Sequence, residues 1–194
     1  MRVEFYEVNF KKPKSVFRTI CGDLYDFVSM FMTAVVCVMI TLVFFFRLAT
    51  VEGSSMNPTL LDQDQLLISN VTTDYKRGDI VVVSRHEDVS IIKRVIAVAG
   101  DTIDINFEKG EVYLNNELLN EPYILEPTYS SFPDGPEFPL KVPVGYLFVM
   151  GDNRNNSLDS RSGEIGLVNE QSILGKMIYE FDNTEAPAWM TIMQ

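Results

Sequence analysis

The chain has 194 residues with 16 basic and 27 acidic side chains, a net charge of −11, and 46% apolar residues. That size and apolar content suit one main domain plus an appendage. The acidic balance and the lack of a basic stripe exclude phosphate-backbone recognition, so no nucleic-acid partner is expected. Cys21 and Cys37 are the two cysteines, and His86 is the one histidine. Everything after residue 37 therefore lacks thiolate metal ligands and disulfides, and no metal site or cofactor is expected.

In chain order, the first element is Phe27 to Phe46, FVSMFMTAVVCVMITLVFFF, which carries no charge. About 20 helical residues span a bilayer core, so this segment is predicted to be a transmembrane helix. The alternative is a buried core helix. Ser29, Thr33 and Thr41 can bond back to their own helix. The segment is too long for the apolar centre of a cleaved leader, and no small-x-small cleavage site follows it. Arg2, Lys11, Lys12, Lys14 and Arg18 precede it, whereas Arg47 is the last basic residue until Lys76. The positive-inside rule then predicts a cytoplasmic segment over 1–26, a span over 27–46, and an outer domain over 47–194.

The outer domain reads as mainly β. Strands are predicted at Gln65–Ser69, Asp79–Ser84, Val89–Val98, Thr102–Phe107, Val112–Leu114, Tyr146–Met150 and Ser172–Glu180. Lys76-Arg77-Gly78 and Asn115-Asn116 mark turns. The stretch from Pro122 to Pro143, rich in Pro, Gly and Ser, reads as an irregular excursion. Many short strands suggest a partly closed barrel or twisted antiparallel sheets.

Three segments carry candidate chemistry. Gly53-Ser54-Ser55-Met56-Asn57-Pro58-Thr59-Leu60 is a turn-rich run holding two serines, either of which could be a nucleophile. Lys93 lies among Ile91, Ile92, Val95 and Ile96, a setting that lowers a lysine pKa by desolvation. The plain alternative is a lysine snorkelling from a strand edge. Gly151-Asp152-Asn153-Arg154-Asn155-Asn156-Ser157-Leu158-Asp159-Ser160-Arg161 is dense in polar groups directly after a buried strand. It is either a solvated loop or one locked by charge-assisted bonds. His86 sits in a polar turn; a triad with Ser55 is the rival to a lysine base.

In this order behind an apolar anchor, the three segments resemble bacterial type I signal peptidases, membrane-bound Ser-Lys proteases, in their short single-span form. The resemblance extends to Lys76-Arg77-Gly78-Asp79-Ile80-Val81-Val82 and covers most of the chain. Only about 40 to 50 residues separate the lysine segment from the last one, so the large accessory domain of longer relatives is expected to be missing.

The resemblance implies Ser55 as nucleophile and Lys93 as general base. It implies that Ser157 hydrogen-bonds and orients the lysine, that Asp159 and Arg161 form an ion pair, and that Asp152 pairs with Arg94. Val51, Met56, Leu60 and Ile92 would line shallow apolar pockets for small residues, typically alanine, at the first and third positions before the cut. One oxyanion donor would be the Ser55 N–H; where some relatives supply a second from a serine hydroxyl, this chain has Gly53. Ala99 stands where relatives often have proline, and Asn155 where they usually have aspartate. Neither departure is expected to abolish catalysis. Expected partners are signal-peptide-bearing preproteins, membrane lipid and the secretion translocon. The rivals are a self-cleaving repressor-type Ser-Lys protease, a peptidase dedicated to one substrate, and an inactive membrane-anchored binding protein.

Overall fold

The computed structural model describes residues 16–71, 73–85 and 90–181. The chain divides into two units at Phe44/Phe45. The first is dominated by helix α1, Val16–Phe45. Its stretch Cys21–Phe45 is long and apolar enough to cross a membrane, with a mean hydropathy of 2.5. Side chains such as Phe27, Phe31, Met39 and Phe44 are exposed along it, unlike those of a buried core helix. Thr33 Oγ1 donates to the Ser29 carbonyl (2.8 Å) and Thr41 Oγ1 to that of Cys37 (2.9 Å), so both hydroxyls are satisfied within the helix. The helix starts before the predicted Phe27 and ends one residue before Phe46. Phe46 instead opens a strand, because it pairs with Ser69.

The second unit contains eleven strands: β1 Phe46–Thr50, β2 Gln65–Ser69, β3 Ile80–Ser84, β4 Ser90–Ala97, β5 Thr102–Asn106, β6 Glu111–Leu114, β7 Glu117–Leu118, β8 Leu140–Lys141, β9 Tyr146–Met150, β10 Val168–Asn169 and β11 Ile173–Phe181. Seven form one sheet in the order β1-β2-β11-β3-β4-β9-β10, and four form another in the order β7-β6-β5-β8. All pairings are antiparallel. β1, β7, β8 and β10 were not predicted. Three of them have only two residues, too short for any alternation to register, and β1 continues an apolar run without a turn signal.

Alternation sets the packing. Ile80 and Val82 of β3 join one apolar cluster with Val51, Met56, Leu60, Leu66 and Ile68. Val81 and Val83 point to the other face and join Val95, Leu147, Val149 and Val168. β3 is thus buried on both faces, which explains its unbroken valine run. A third cluster, including Ile103, Ile105, Val112, Leu114, Phe148 and Met150, links the smaller sheet to β9. Asn115 and Asn116 adopt left-handed conformations (φ 54° and 68°) in the β6–β7 turn, a geometry asparagine tolerates well.

The pairing of β4 positions the site. Ser90 to Arg94 pair with β3, while β9 pairs only from Arg94 onward. Among the described residues, Ser90–Lys93 therefore have no strand partner on the β9 side. Lys93 is the last residue of that open edge.

Candidate active site

The loop between β1 and β2 is closed at its base by Val51 N–H to Asp64 O and Gln63 N–H to Val51 O, both 2.8 Å. Met56 and Leu60 anchor it in the apolar cluster, at 1% and 0% exposure. Burying two such side chains contributes roughly 1.5–3 kcal/mol each. Gly53 has φ 88°, a conformation a side chain at this position would oppose, and its N–H donates to Asp62 Oδ1 at 2.7 Å. These constraints hold Ser55 at the groove rather than in the core.

Lys93 is 3% exposed. Its Nζ donates to Ser55 Oγ at 2.8 Å and to the Ile92 carbonyl at 2.9 Å. Burial is the largest influence on its pKa and lowers it from 10.5 to about 8. The Asp159 and Asp152 carboxylates oppose that shift, and the Arg161 guanidinium adds to it. A lysine in this state is substantially neutral at mildly alkaline pH and can accept a proton from the hydroxyl it touches.

The segment 151–161 forms a locked loop, not a solvated one. Asp159 and Arg161 are both fully buried and pair through two bonds of 2.8 Å. Asp159 Oδ2 also accepts the Gly151 N–H at 3.0 Å. Arg161 continues to the carbonyls of Arg154 (2.6 Å) and Ser130 (3.0 Å). Arg94 pairs with Asp152 through bonds of 2.8 and 2.6 Å, and Thr59 donates to the same carboxylate at 2.5 Å. The Arg94 guanidinium lies over the Tyr123 ring, 4.2 Å from its centroid. The serine loop, the lysine strand and this loop thus share one charge network.

Two expected placements are corrected. Ser157 was expected to hydrogen-bond the lysine. Its Oγ is instead buried without a hydrogen-bond partner among the described residues, and the Lys93 Nζ bonds go to Ser55 and Ile92. Ser157 packs against Gly151, where an added Cβ would lie 2.2 Å from its Oγ. Leu60 was expected to line the substrate groove but is absent from its wall. Its N–H bonds the Met56 carbonyl at 3.0 Å, and that turn carries the side chain into the core. The groove, about 510 Å³, is lined by Ala49, Val51, Met56, Val82, Ile92 and Leu158, among others, together with Ser55 and Lys93. His86, the rival base, lies outside the described residues.

Arg154 and Asn153 were given no role from sequence, and Asn155 was noted there as a departure from aspartate. Arg154 is fully buried and pairs with Glu121 at 2.9 and 2.5 Å and with Thr128 at 3.0 Å. This tie fastens the excursion after Pro122 to the loop. Asn155 Oδ1 accepts the N–H groups of Tyr129 and Ser130, both 2.9 Å, while Nδ2 donates to Pro127 O at 3.0 Å. Asn153 binds the nucleophile turn from the other side. No fixed spacing links these partners, so composition could mark the loop as polar but not name its contacts.

A model of the family described as signal peptidase, peptidase S26, matches residues 24–181, the whole span that carries this network. The chain belongs to that family. Signal peptidase I of Bacillus licheniformis is 35% identical over 169 residues, covering 82% of this chain and 89% of the relative. Signal peptidase I P of Bacillus subtilis subsp. natto is 36% identical, covering 79% and 86%. Signal peptidase I U of Bacillus subtilis (strain 168) is 38% identical, covering 76% and 81%. Among solved structures, a signal peptidase I from Enterococcus faecalis V583 aligns with 55% of this chain and 97% of its own, at 25% identity and a TM-score of 0.40. As a member of the signal peptidase family, the chain is a membrane serine endopeptidase that removes signal peptides.

Proposed function

We propose that Ser55 and Lys93 form the catalytic dyad of this peptidase. The observation that carries the reading is the 2.8 Å contact between Lys93 Nζ and Ser55 Oγ in a buried setting. Neutral Lys93 takes the Ser55 proton as Oγ attacks the scissile carbonyl. The resulting ammonium protonates the leaving amine, so the peptide bond breaks as the acyl-enzyme ester forms. A water deprotonated by the same lysine then hydrolyses the ester. The Ser55 N–H stabilises the oxyanion in both halves of the reaction. Asp159, Arg161, Asp152 and Arg94 hold the loop and strand in register around the dyad. Ser157 serves as a packing partner of Gly151.

An extended substrate in the groove would meet Val51, Met56 and Ile92, whose apolar surfaces favour small uncharged side chains before the cut, of the Ala-x-Ala type. The helix anchors the enzyme in the cytoplasmic membrane, with its basic N-terminal flank on the cytoplasmic side and the catalytic unit outside. Membrane lipid and the secretion translocon are the partners this placement implies. The test is cleavage of a model preprotein by the wild type, Ser55→Ala and Lys93→Ala in lipid. Both variants are expected to be inactive; retained cleavage by either overturns the dyad.

A further inference from the structure

Ser54 and Ser55 are joined by a planar trans peptide; the cis bonds among the described residues lie at Asn57-Pro58 and Phe138-Pro139. In a trans peptide the carbonyl of one residue and the N–H of the next point in opposite directions. The Ser54 carbonyl accepts two hydrogen bonds, from Asn153 Nδ2 at 3.1 Å and from the Asn57 N–H at 3.2 Å. The Ser55 N–H on the far side of that peptide donates to no protein acceptor among the described residues. The next carbonyl, that of Ser55, accepts the Asn153 backbone N–H at 3.1 Å. Asn153 therefore grips two successive carbonyls of the nucleophile turn, and it is itself 7% exposed.

We infer that Asn153 is the positioning residue of the oxyanion hole: its side-chain amide holds the Ser54 carbonyl toward the 151–161 loop and so aims the Ser55 N–H at the developing oxyanion. The inference rests on Ser55 being the nucleophile. It matters more here because Gly53 contributes no hydroxyl as a second donor. With fewer donors, the orientation of the remaining one governs transition-state stabilisation. Asn156 adds a lateral tie, Nδ2 to Ser54 Oγ at 3.0 Å, but it leaves the peptide plane free to rotate. Among the described residues, the bonds that reach that carbonyl come from the Asn153 amide and, within the turn, from the Asn57 N–H.

The experiment uses the full-length protein in lipid, with Asn153→Asp and Asn153→Ala. Asp keeps the shape of the side chain but has no N–H to donate when ionised, and both variants retain the backbone bond to Ser55 O. Rates are compared on the alkaline plateau, where Lys93 is neutral in every variant. Binding is measured for a signal-peptide fragment ending in an alanine aldehyde and for the same fragment ending in a carboxamide. The aldehyde forms a tetrahedral adduct with its oxygen in the hole; the carboxamide only occupies the groove. Expected are a fall in kcat of about 10- to 100-fold with KM within about 3-fold, toward the lower end of the loss of a whole donor. Aldehyde affinity should fall by a similar factor, with carboxamide affinity within about 3-fold. An unchanged aldehyde affinity, an equal loss for both ligands, or failure of both variants to bind the carboxamide would each assign Asn153 to packing alone and overturn the inference. Activity in a parallel Ser55→Ala sample would sink the underlying dyad instead.

Discussion

Replacing Lys93 by methionine should abolish cleavage yet make the folded protein more stable at neutral pH. The size of both effects follows from the burial of the ammonium. With a pKa of about 8, Lys93 is about 9% neutral at pH 7; at its ordinary value of 10.5 it would be about 0.03% neutral. Desolvation thus raises the reactive fraction about 300-fold. The same shift costs folding about 3 kcal/mol at pH 7, at roughly 1.4 kcal/mol per unit. In the unfolded chain the lysine keeps its proton up to about pH 10.5, whereas in the folded chain it loses it near 8. Stability therefore rises with pH between these values, and the full penalty applies below pH 8. Methionine fills a similar volume without a charge. It gives up the bonds to Ser55 and Ile92, about 1 kcal/mol each, so a net gain of about 1 kcal/mol is expected at pH 7. That corresponds to a rise of about 2–4 °C in Tm. Thermal unfolding in detergent across pH 6–10 should show the gain shrinking and reversing as pH climbs. In the wild type, kcat/KM on one preprotein should rise tenfold per pH unit below 8 and level above it. A rate independent of pH between 6 and 9, or a methionine variant less stable at pH 7 than at pH 10 relative to wild type, would refute the buried-lysine argument.

Asp159→Ala should be the most damaging loop variant, because it leaves Arg161 buried without its carboxylate. A loss of about 3–5 kcal/mol in chemical denaturation, with activity falling alongside, is expected. Asn155→Asp removes the donor to Pro127 O and sets a carboxylate against that carbonyl. It should lower stability by about 1 kcal/mol while kcat stays within about threefold, measured on the same preprotein. Ala99→Pro should stabilise by about 0.4–1 kcal/mol without changing turnover. Residue 99 lies in a turn closed by Asp101 N–H to Val98 O, ahead of Gly100 at φ 92°, where proline is well accommodated; a fall in Tm would count against this. Protease added outside spheroplasts should digest the region after Thr50 and spare the N-terminal flank, and protection of the whole chain would reverse the proposed orientation.

What could be read from the sequence alone was whatever local chemistry determines. An uncharged run of 20 residues must become a helix in a membrane or a core, because its backbone groups need internal partners there. Thr102–Asn106 was legible because one face is apolar and the other is not, and Gln65–Ser69 because a short apolar run is bounded by polar residues. The chemical segments around Ser55, Lys93 and Asp152–Arg161 stood out by residue type, and the resemblance gave them roles. The two-residue strands stayed hidden, since they exist only through partners distant in the chain. Tertiary structure alone decided that Lys93 ends an open strand edge with its amine against Ser55, and that Leu60 points into the core. It alone left Ser157 without a hydrogen bond among the described residues and joined Arg154 to Glu121 across 33 positions. These contacts depend on where the β4–β9 pairing begins and on how buried charges find partners. Both are set by the packing of the whole unit, because a buried ion must be neutralised by whichever group the fold brings within reach.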